Sequence, residues 1–332
     1  MVQSQFGRRR FVTGAVGVGA LVTRGITSAQ EASPDASEWS FTDDKDVTIT
    51  LPARPERLVM DVNAAAPLWD FGIKPTALFG WNVYADGTLG AAGGNIDPEG
   101  IPTVGNVNEP LNLEQVIAQD PDLIVTITWS DDPSDYWSID TALLEQTKAV
   151  APIAAISATG RADVNTGRFA ELAAALGADL ESEELVAARA EMETSIARLQ
   201  GVASVKSDLT ALFVSAGEDG AVIANPTDWA DLNMYMELGV SILEPGVESG
   251  AYWLEISNEV AAEYATDIVF ISARPGTLTP EELAGTPGWE QHPAVAAGQV
   301  FLWNQDFIQS YQGMTTAITG VAEAVERSAK VI

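Results

Sequence analysis

The residues able to do chemistry in this chain are aromatics and carboxylates, not nucleophiles. There is no Cys, which excludes disulfides, thiolate nucleophiles and thiolate metal sites. A single His, His292, excludes catalysis by paired histidines. It stands beside Pro293 in a turn and reads as structural, not as a haem ligand. Gly-x-Ser-x-Gly, His-Glu-x-x-His and a phosphate-cradling loop ending in Gly-Lys-Ser or Gly-Lys-Thr are absent. No Asp-rich loop has calcium-type spacing. Acid pairs abound, so an exported hydrolase of the two-carboxylate type stays open as a remote alternative.

Aromatics instead collect after hydrophobic runs. Trp81 and Tyr84 follow one, Trp129, Tyr136 and Trp137 follow another, and Trp229, Tyr252 and Trp253 sit beside turn-like sequence. Their faces suit a large, flat, partly apolar metal chelate or macrocycle. Trp81 and Trp129 adjoin runs that also need aromatics for packing, whereas Tyr136, Trp137 and Trp253 lie in polar stretches with less need of it. Arg161 and Arg274 stand at the ends of two more runs. There a guanidinium either binds an anionic ligand in bidentate fashion or pairs with a nearby carboxylate.

A second pattern is a repeat. "NLEQVIAQDPDLIVTIT" at 112–128 is echoed by "SNEVAAEYATDIVFIS" at 257–272. In each, a Glu (Glu114, Glu259) opens a short helical stretch, and an Asp eight residues on (Asp122, Asp267) opens an apolar β run. A Glu in a first helical turn is favoured by the macrodipole alone. Matching positions ahead of matching β runs imply two related α/β units.

The elements that must carry these residues follow from composition and period. The chain has 332 residues, enough for two domains of common size, and 46% hydrophobic residues, enough to fill cores. Its net charge of −30 disfavours nucleic acid and anionic lipid. That acidity reads first as solubility, with a high-salt habitat or a basic partner as alternatives. Residues 1–29 hold Arg8-Arg9-Arg10-Phe11, a weakly apolar core and Thr27-Ser28-Ala29. This reads as a twin-arginine signal peptide, its core too short to span a bilayer. Residues 30–40 read as a polar tether. Residues 41–164 alternate strands and helices, including a strand over 58–62, a helix over 64–71 and a strand over 123–128, which argues for a parallel sheet. Residues 165–201 read as two helices split at Gly177 and Ser182. Residues 202–332 alternate again and end in a helix over about 315–330.

Four phrases in order resemble the substrate-binding proteins of iron–siderophore ABC importers, whose relatives carry haem and cobalamin. They are "VTITLPARPERLV", "VGNVNEPLNLEQVIAQDPDLIV", the connecting helices, and "GWEQHPAVAAGQVFLW". The likeness covers roughly residues 45–330. It implies an α/β fold of two Rossmann-like lobes with mostly parallel sheets, joined by a single long helix, with the ligand cleft between lobes and little hinge closure. It implies a monomeric, non-enzymatic receptor without a resident cofactor, ferric iron entering only inside the bound chelate. It places Trp81, Tyr84, Trp129, Tyr136, Trp137, Arg161, Trp229, Tyr252, Trp253 and Arg274 on loops around the cleft. It makes Glu114 and Glu259 docking residues for a two-fold permease with its ATPase. Asp131, Asp132 and Asp135, with no base in the same loops, favour a neutral or cationic hydroxamate chelate over a highly charged catecholate. Cobalamin, haem and a free-standing sensor or scavenger are the alternatives. Many such relatives are lipoproteins, and this chain has no Cys to anchor. The expected location is therefore the periplasm or the outer face of the cell membrane, without a Cys-linked lipid.

Overall fold

Alternating β runs and amphipathic helices build two sheets, each covered on both faces. The computed structural model describes residues 38–332. The twin-arginine signal and most of the tether lie outside the described residues. A first hairpin, β1 (Trp39–Thr42) and β2 (Thr48–Leu51), pairs Phe41 with Ile49. It begins at Trp39, inside the stretch read as tether. Asp43 closes its turn, accepting from the Lys45 and Val47 amides, and also accepts from the Ala155 amide of the neighbouring sheet.

The first sheet runs β3 (Leu58–Asp61), β4 (Ala77–Phe79), β5 (Leu123–Thr128) and β6 (Ile153–Ser157) in the order β4-β3-β5-β6, all parallel. Helices α1 (Val62–Asp70), α2 (Leu113–Ala118) and α3 (Leu144–Val150) connect them. Every residue of β3 and β5 is buried, as a parallel sheet covered on both faces requires. Helix α1 starts two residues earlier than the expected 64 because Asp61 caps it, accepting from the Asn63 amide at 2.8 Å.

Helices α4 (Ala162–Ala175) and α5 (Glu183–Val205) follow, and the Ser182 hydroxyl caps α5. The second sheet contains β7 (Thr210–Gly217), β8 (Gly220–Ala224), β9 (Ser241–Ile242), β10 (Trp253–Ile256), β11 (Ile268–Ser272) and β12 (Val300–Trp303). Helix α6 (Ala230–Glu237) leads into β9, α7 (Pro280–Ala284) and α8 (Pro293–Ala296) precede β12, and α9 (Tyr311–Arg327) ends the fold. Strands β9, β7, β11 and β12 pair in parallel in that order, matching β4, β3, β5 and β6 of the first sheet. Strands β8 and β10 add an antiparallel edge. Tyr252 and Trp253 adjoin the turn-like sequence before them, and Trp253 opens β10.

The long helix belongs to both halves. Leu185 and Ala188 of α5 lie in the first core with Met60 and Val125. Leu199 and Ala203 lie in the second with Phe213 and Phe270. Met192 packs against both cores. With 23 residues, α5 is about 35 Å long at 1.5 Å per residue, and it extends past the expected boundary at 201.

The repeated Asp has one job in both halves. Asp122 accepts from the Glu56 and Arg57 amides leading into β3. Asp267 accepts from the Thr210 amide opening β7. Each thus ties the start of one parallel strand to its neighbour. Asp267 also accepts from the Val331 and Ile332 amides and from Lys330, clamping the C-terminus. Burial pushes its pKa up, but these hydrogen bonds outweigh that and hold it below the usual carboxylate range. Asp267→Ala should cost about 2–4 kcal/mol in urea unfolding, since several buried donors lose their acceptor. The wild-type advantage should begin to shrink as pH falls below about 4, where the unfolded carboxylate protonates, and be lost as pH passes the lower pKa of the folded one. A loss under 0.5 kcal/mol, measured at neutral pH, would show that the strand tie carries no weight.

Candidate functional site

Between the sheets lies a cavity of about 100 Å³. Its first wall carries Asn63 from α1, Asn82, Trp129, Trp137 and Phe169. Its second wall carries Trp229 and Asp231 at the start of α6, Arg274 after β11, and Gln305 to Gln309 after β12. Apart from the Trp229–Asp231 segment, which follows the antiparallel strand β8, these segments follow parallel strands at their C-terminal ends, where open α/β sheets bind ligands.

Trp129 spans the gap. Its ring is 5.8 Å from Trp137 on its own side and 6.4 Å and 6.1 Å from Trp229 and Tyr252 on the other. Trp229 continues the contact to Trp253 at 4.9 Å and Trp303 at 5.4 Å. The indole N–H groups of Trp129 and Trp137 are buried without a partner. A buried donor without an acceptor is costly unless something supplies one. Two donors and several aromatic faces in one cavity suit a ligand that is apolar in body and studded with oxygen atoms.

Two carboxylates shape the loops. Asp135 accepts from the Trp129 amide at 2.9 Å and from the Thr128 and Ser130 hydroxyls. Asp228 accepts from the Gly250 and Tyr252 amides, Ser249 and Asn225. Burial acts to raise the Asp228 pKa, but the amides outweigh it and hold the group low. This clamp holds Tyr252 at φ 59°, the left-handed region that few non-glycine residues adopt. The first-wall loop has no base of its own, but Lys45 of the hairpin turn reaches it and donates to the Ser130 and Asp132 carbonyls.

Two more carboxylates open matching helices and are fully buried. Asp61 has three donors: the Asn63 amide, the Asn63 side chain and the Ser138 hydroxyl. Gly80, at φ 119°, lies against it, where a Cβ would fall 2.2 Å from Oδ2. Burial pushes Asp61 up to about 7, against those hydrogen bonds. Asp61 thereby orients Asn63, which lines the cavity. Asp231 accepts from the Trp303 indole at 2.7 Å, yet its Oδ1 is buried with no partner. Burial pushes it, too, up to about 7.

The cavity brings together four of the residues singled out from sequence: Trp129, Trp137, Trp229 and Arg274. Tyr252 and Trp253 form the layer behind Trp229. Trp81 and Tyr84 are about half exposed, flanking the cavity residue Asn82. Tyr136 turns away into the outer core with Ile139 and Leu144, although its neighbours in sequence are polar. Arg161 pairs with Asp163 at 2.7 Å outside the cavity wall. Arg274 pairs in bidentate fashion with Asp306, Nε to Oδ2 at 2.8 Å. His292 is buried and bonds the Tyr264 carbonyl at 3.0 Å, as a structural residue does. The loop 304–309 was missed. Its position directly after a parallel strand was the available signal.

Glu114 and Glu259 are both exposed, in the first turns of α2 and of a 3-10 helix, Asn258–Tyr264. The second helix is thus 3-10 rather than α. Each turn is fixed to the C-terminal end of a parallel strand. Pro110 accepts from the Gly80 amide beyond β4, and Asn258 donates to the Gly217 carbonyl of β7. The strands to which the turns are tied do not correspond, but the turns themselves directly precede the corresponding strands β5 and β11, so the two Glu match in their place along each half.

Comparison with known proteins agrees with this architecture. The periplasmic binding protein family matches residues 72–307. The chain belongs to that family. It is 24% identical over 321 residues to the Fe(3+)-citrate-binding protein YfmC of Bacillus subtilis, covering 92% of this chain and 93% of that one. DesE, a ferric-siderophore receptor protein from Streptomyces coelicolor, superposes with a TM-score of 0.80 at 29% identity, covering 89% of this chain and 100% of that one. SirA of Staphylococcus aureus, solved with staphyloferrin B, shares the fold with a TM-score of 0.61 at 18% identity, over 86% of this chain and 97% of that one. Members of this family are solute receptors, so the chain is a binder and not an enzyme.

The raised Asp61 pKa has a measurable consequence. Folded Asp61 keeps its proton to about pH 7, while the unfolded chain releases it near pH 4, so stability falls as pH climbs between those values. Asp61→Asn removes the ionisation and keeps the shape. Its Tm relative to wild type should rise by at least about 3 °C from about pH 4.5 to about pH 8. A pH-independent difference in Tm would show that Asp61 ionises normally.

Proposed function

We propose that the chain is an extracytoplasmic receptor that captures a ferric siderophore between its lobes and delivers it to a two-fold ABC permease. A hydroxamate chelate is the favoured ligand. The observation that carries this reading is the aromatic cavity, whose one lining base, Arg274, is already occupied by Asp306. A highly anionic catecholate would meet no free guanidinium there, but the unpartnered Trp129 and Trp137 indole donors, the neutral amides of Asn63, Asn82, Gln305 and Gln309, and the carboxylates of Asp231 and Asp306. Hydroxamate oxygens suit those donors. The names of the relatives support a ferric chelate as the ligand class: one is a ferric-siderophore receptor and another binds Fe(3+)-citrate. The signal over 1–29 and the extracytoplasmic setting belong to the same reading.

A cavity of about 100 Å³ is smaller than the roughly 300–1,000 Å³ of sites that enclose drug-sized ligands. Trp129, touching both walls, must turn to admit a chelate. Trp fluorescence should therefore respond strongly. Titration with ferric hydroxamates, catecholates, citrate, haem and cobalamin should give saturable quenching, tightest with a ferric hydroxamate. Trp129→Ala should weaken that ligand by about tenfold or more. Tightest binding of citrate would favour the ligand named for the Bacillus relative, and tightest binding of haem or cobalamin would replace the siderophore reading.

Glu114 and Glu259 serve as the docking pair. Two corresponding, exposed charges fit a partner with two-fold symmetry, and such charges steer and register an encounter more than they tighten it. The Ser257 hydroxyl helps to keep Glu259 ionised. Replacing both with Ala should leave ligand affinity within about twofold while uptake, or stimulation of the transporter's ATPase, falls at least about tenfold. Unchanged uptake would reduce both residues to helix-end stabilisation.

A further inference from the structure

Asp61 and Asp231 open matching helices, α1 and α6, in the two halves, and both are fully enclosed. Their surroundings differ in one respect. Asp61 is satisfied by three donors from its own lobe. Asp231 accepts one well-formed hydrogen bond, from the Trp303 indole, and its buried Oδ1 has no hydrogen-bond partner, the neighbouring Leu232 amide only easing its charge. Of the two, only Asp231 lines the cavity. Carboxylates of this kind are stable when charged only if a donor or a cation reaches them.

No group of the protein supplies that cation. On its own helix Asp231 faces the Tyr235 phenol, which burial keeps neutral well above its ordinary range. From the loops after β11 and β12 come Arg274 and Asp306, which are bonded to each other. The first wall contributes Asn63, Asn82, Trp129 and Trp137, none of them charged. The bases of the cavity are thus used up and one acid remains.

We infer that Asp231 is a specificity-determining residue that binds a protonated amine on the ligand. The cavity then selects a ferric chelate carrying a pendant primary ammonium over its neutral counterpart. This rests on the hydroxamate reading above and narrows it. The indole N–H groups of Trp129 and Trp137 meet the oxygen-rich body of the chelate, and Asp231 meets its cationic arm. Binding is coupled to proton release. The free receptor holds part of a proton on Asp231 near neutrality, and the ammonium expels it. An alkyl ammonium, like Lys, stays protonated throughout this range. Affinity for the amine-bearing chelate should therefore rise with pH through about 7.

The test uses two probes, a linear ferric tris-hydroxamate ending in a primary amine and the same chelate with that amine acetylated. Each is titrated into the full-length mature receptor and read by Trp fluorescence. Wild type should bind the amine form at least about tenfold tighter at about pH 8, with the ratio shrinking toward about pH 6. In Asp231→Asn the ratio of the two affinities should fall to about one at both pH values. Equal affinity of both probes for wild type overturns the assignment, as does a ratio that survives in Asp231→Asn. Because the wild-type pH series needs no variant, a misfolded substitution leaves the proposal open to refutation. If neither probe binds while another ferric chelate does, the hydroxamate reading itself has failed, and the assignment of Asp231 falls with it.

Discussion

Helix α5 buries Leu185 and Ala188 in one core and Leu199 and Ala203 in the other, with Met192 touching both. A helix held by packed side chains at both ends cannot bend without opening a core, and close-packed interiors resist that strongly. Helix α9 repeats the arrangement, with Tyr311 in the first core and Met314 and Ile318 in the second. The two cavity walls are therefore carried on elements that cross between the lobes. Admission of a ligand falls to side chains such as Trp129 and to the surface loops, not to a wide hinge.

The two halves share a plan and have diverged in detail. The order β4-β3-β5-β6 reappears as β9-β7-β11-β12, and Asp122 and Asp267 tie corresponding strands in the same way. Divergence is greatest where the cavity is lined. The second half adds β8 and β10 at its edge, bringing Tyr252 and Trp253 behind Trp229. It also leaves Asp231 short of donors where Asp61 is satisfied. Duplicated scaffolds commonly keep the interactions that set strand register and alter the loops that meet a ligand, because loops tolerate change at less cost to the core.

Charge in the cavity is governed by pairing and not by composition. The chain carries a net −30, yet most of its surface acids are solvated and contribute little locally. What the ligand meets is decided by a few groups: the exposed Arg274 neutralised by Asp306, Asp135 and Asp228 occupied by loop amides, and the buried Asp231, which the Trp303 indole satisfies at one oxygen and not the other.

The sequence by itself determined the periodic elements. The apolar run of β5, the Ser182 cap of α5 and the paired Glu-to-Asp spacing all depend on residues close in the chain, where local geometry decides. It also pointed to Trp129, Trp137 and Arg274, because loops after apolar strand runs are recognisable from strand ends, and to Trp229 because it sits beside turn-like sequence. Only the tertiary structure decided which of two adjacent aromatics faces the ligand. Tyr136 enters the outer core while Trp137 enters the cavity, since neighbouring side chains in such a loop point opposite ways. It alone showed that Arg161 and Arg274 already have carboxylate partners, and that Asp231 lacks a second donor. Pairing between residues distant in sequence, such as Asp231 with Trp303, is set by how the elements pack, and no local pattern encodes it.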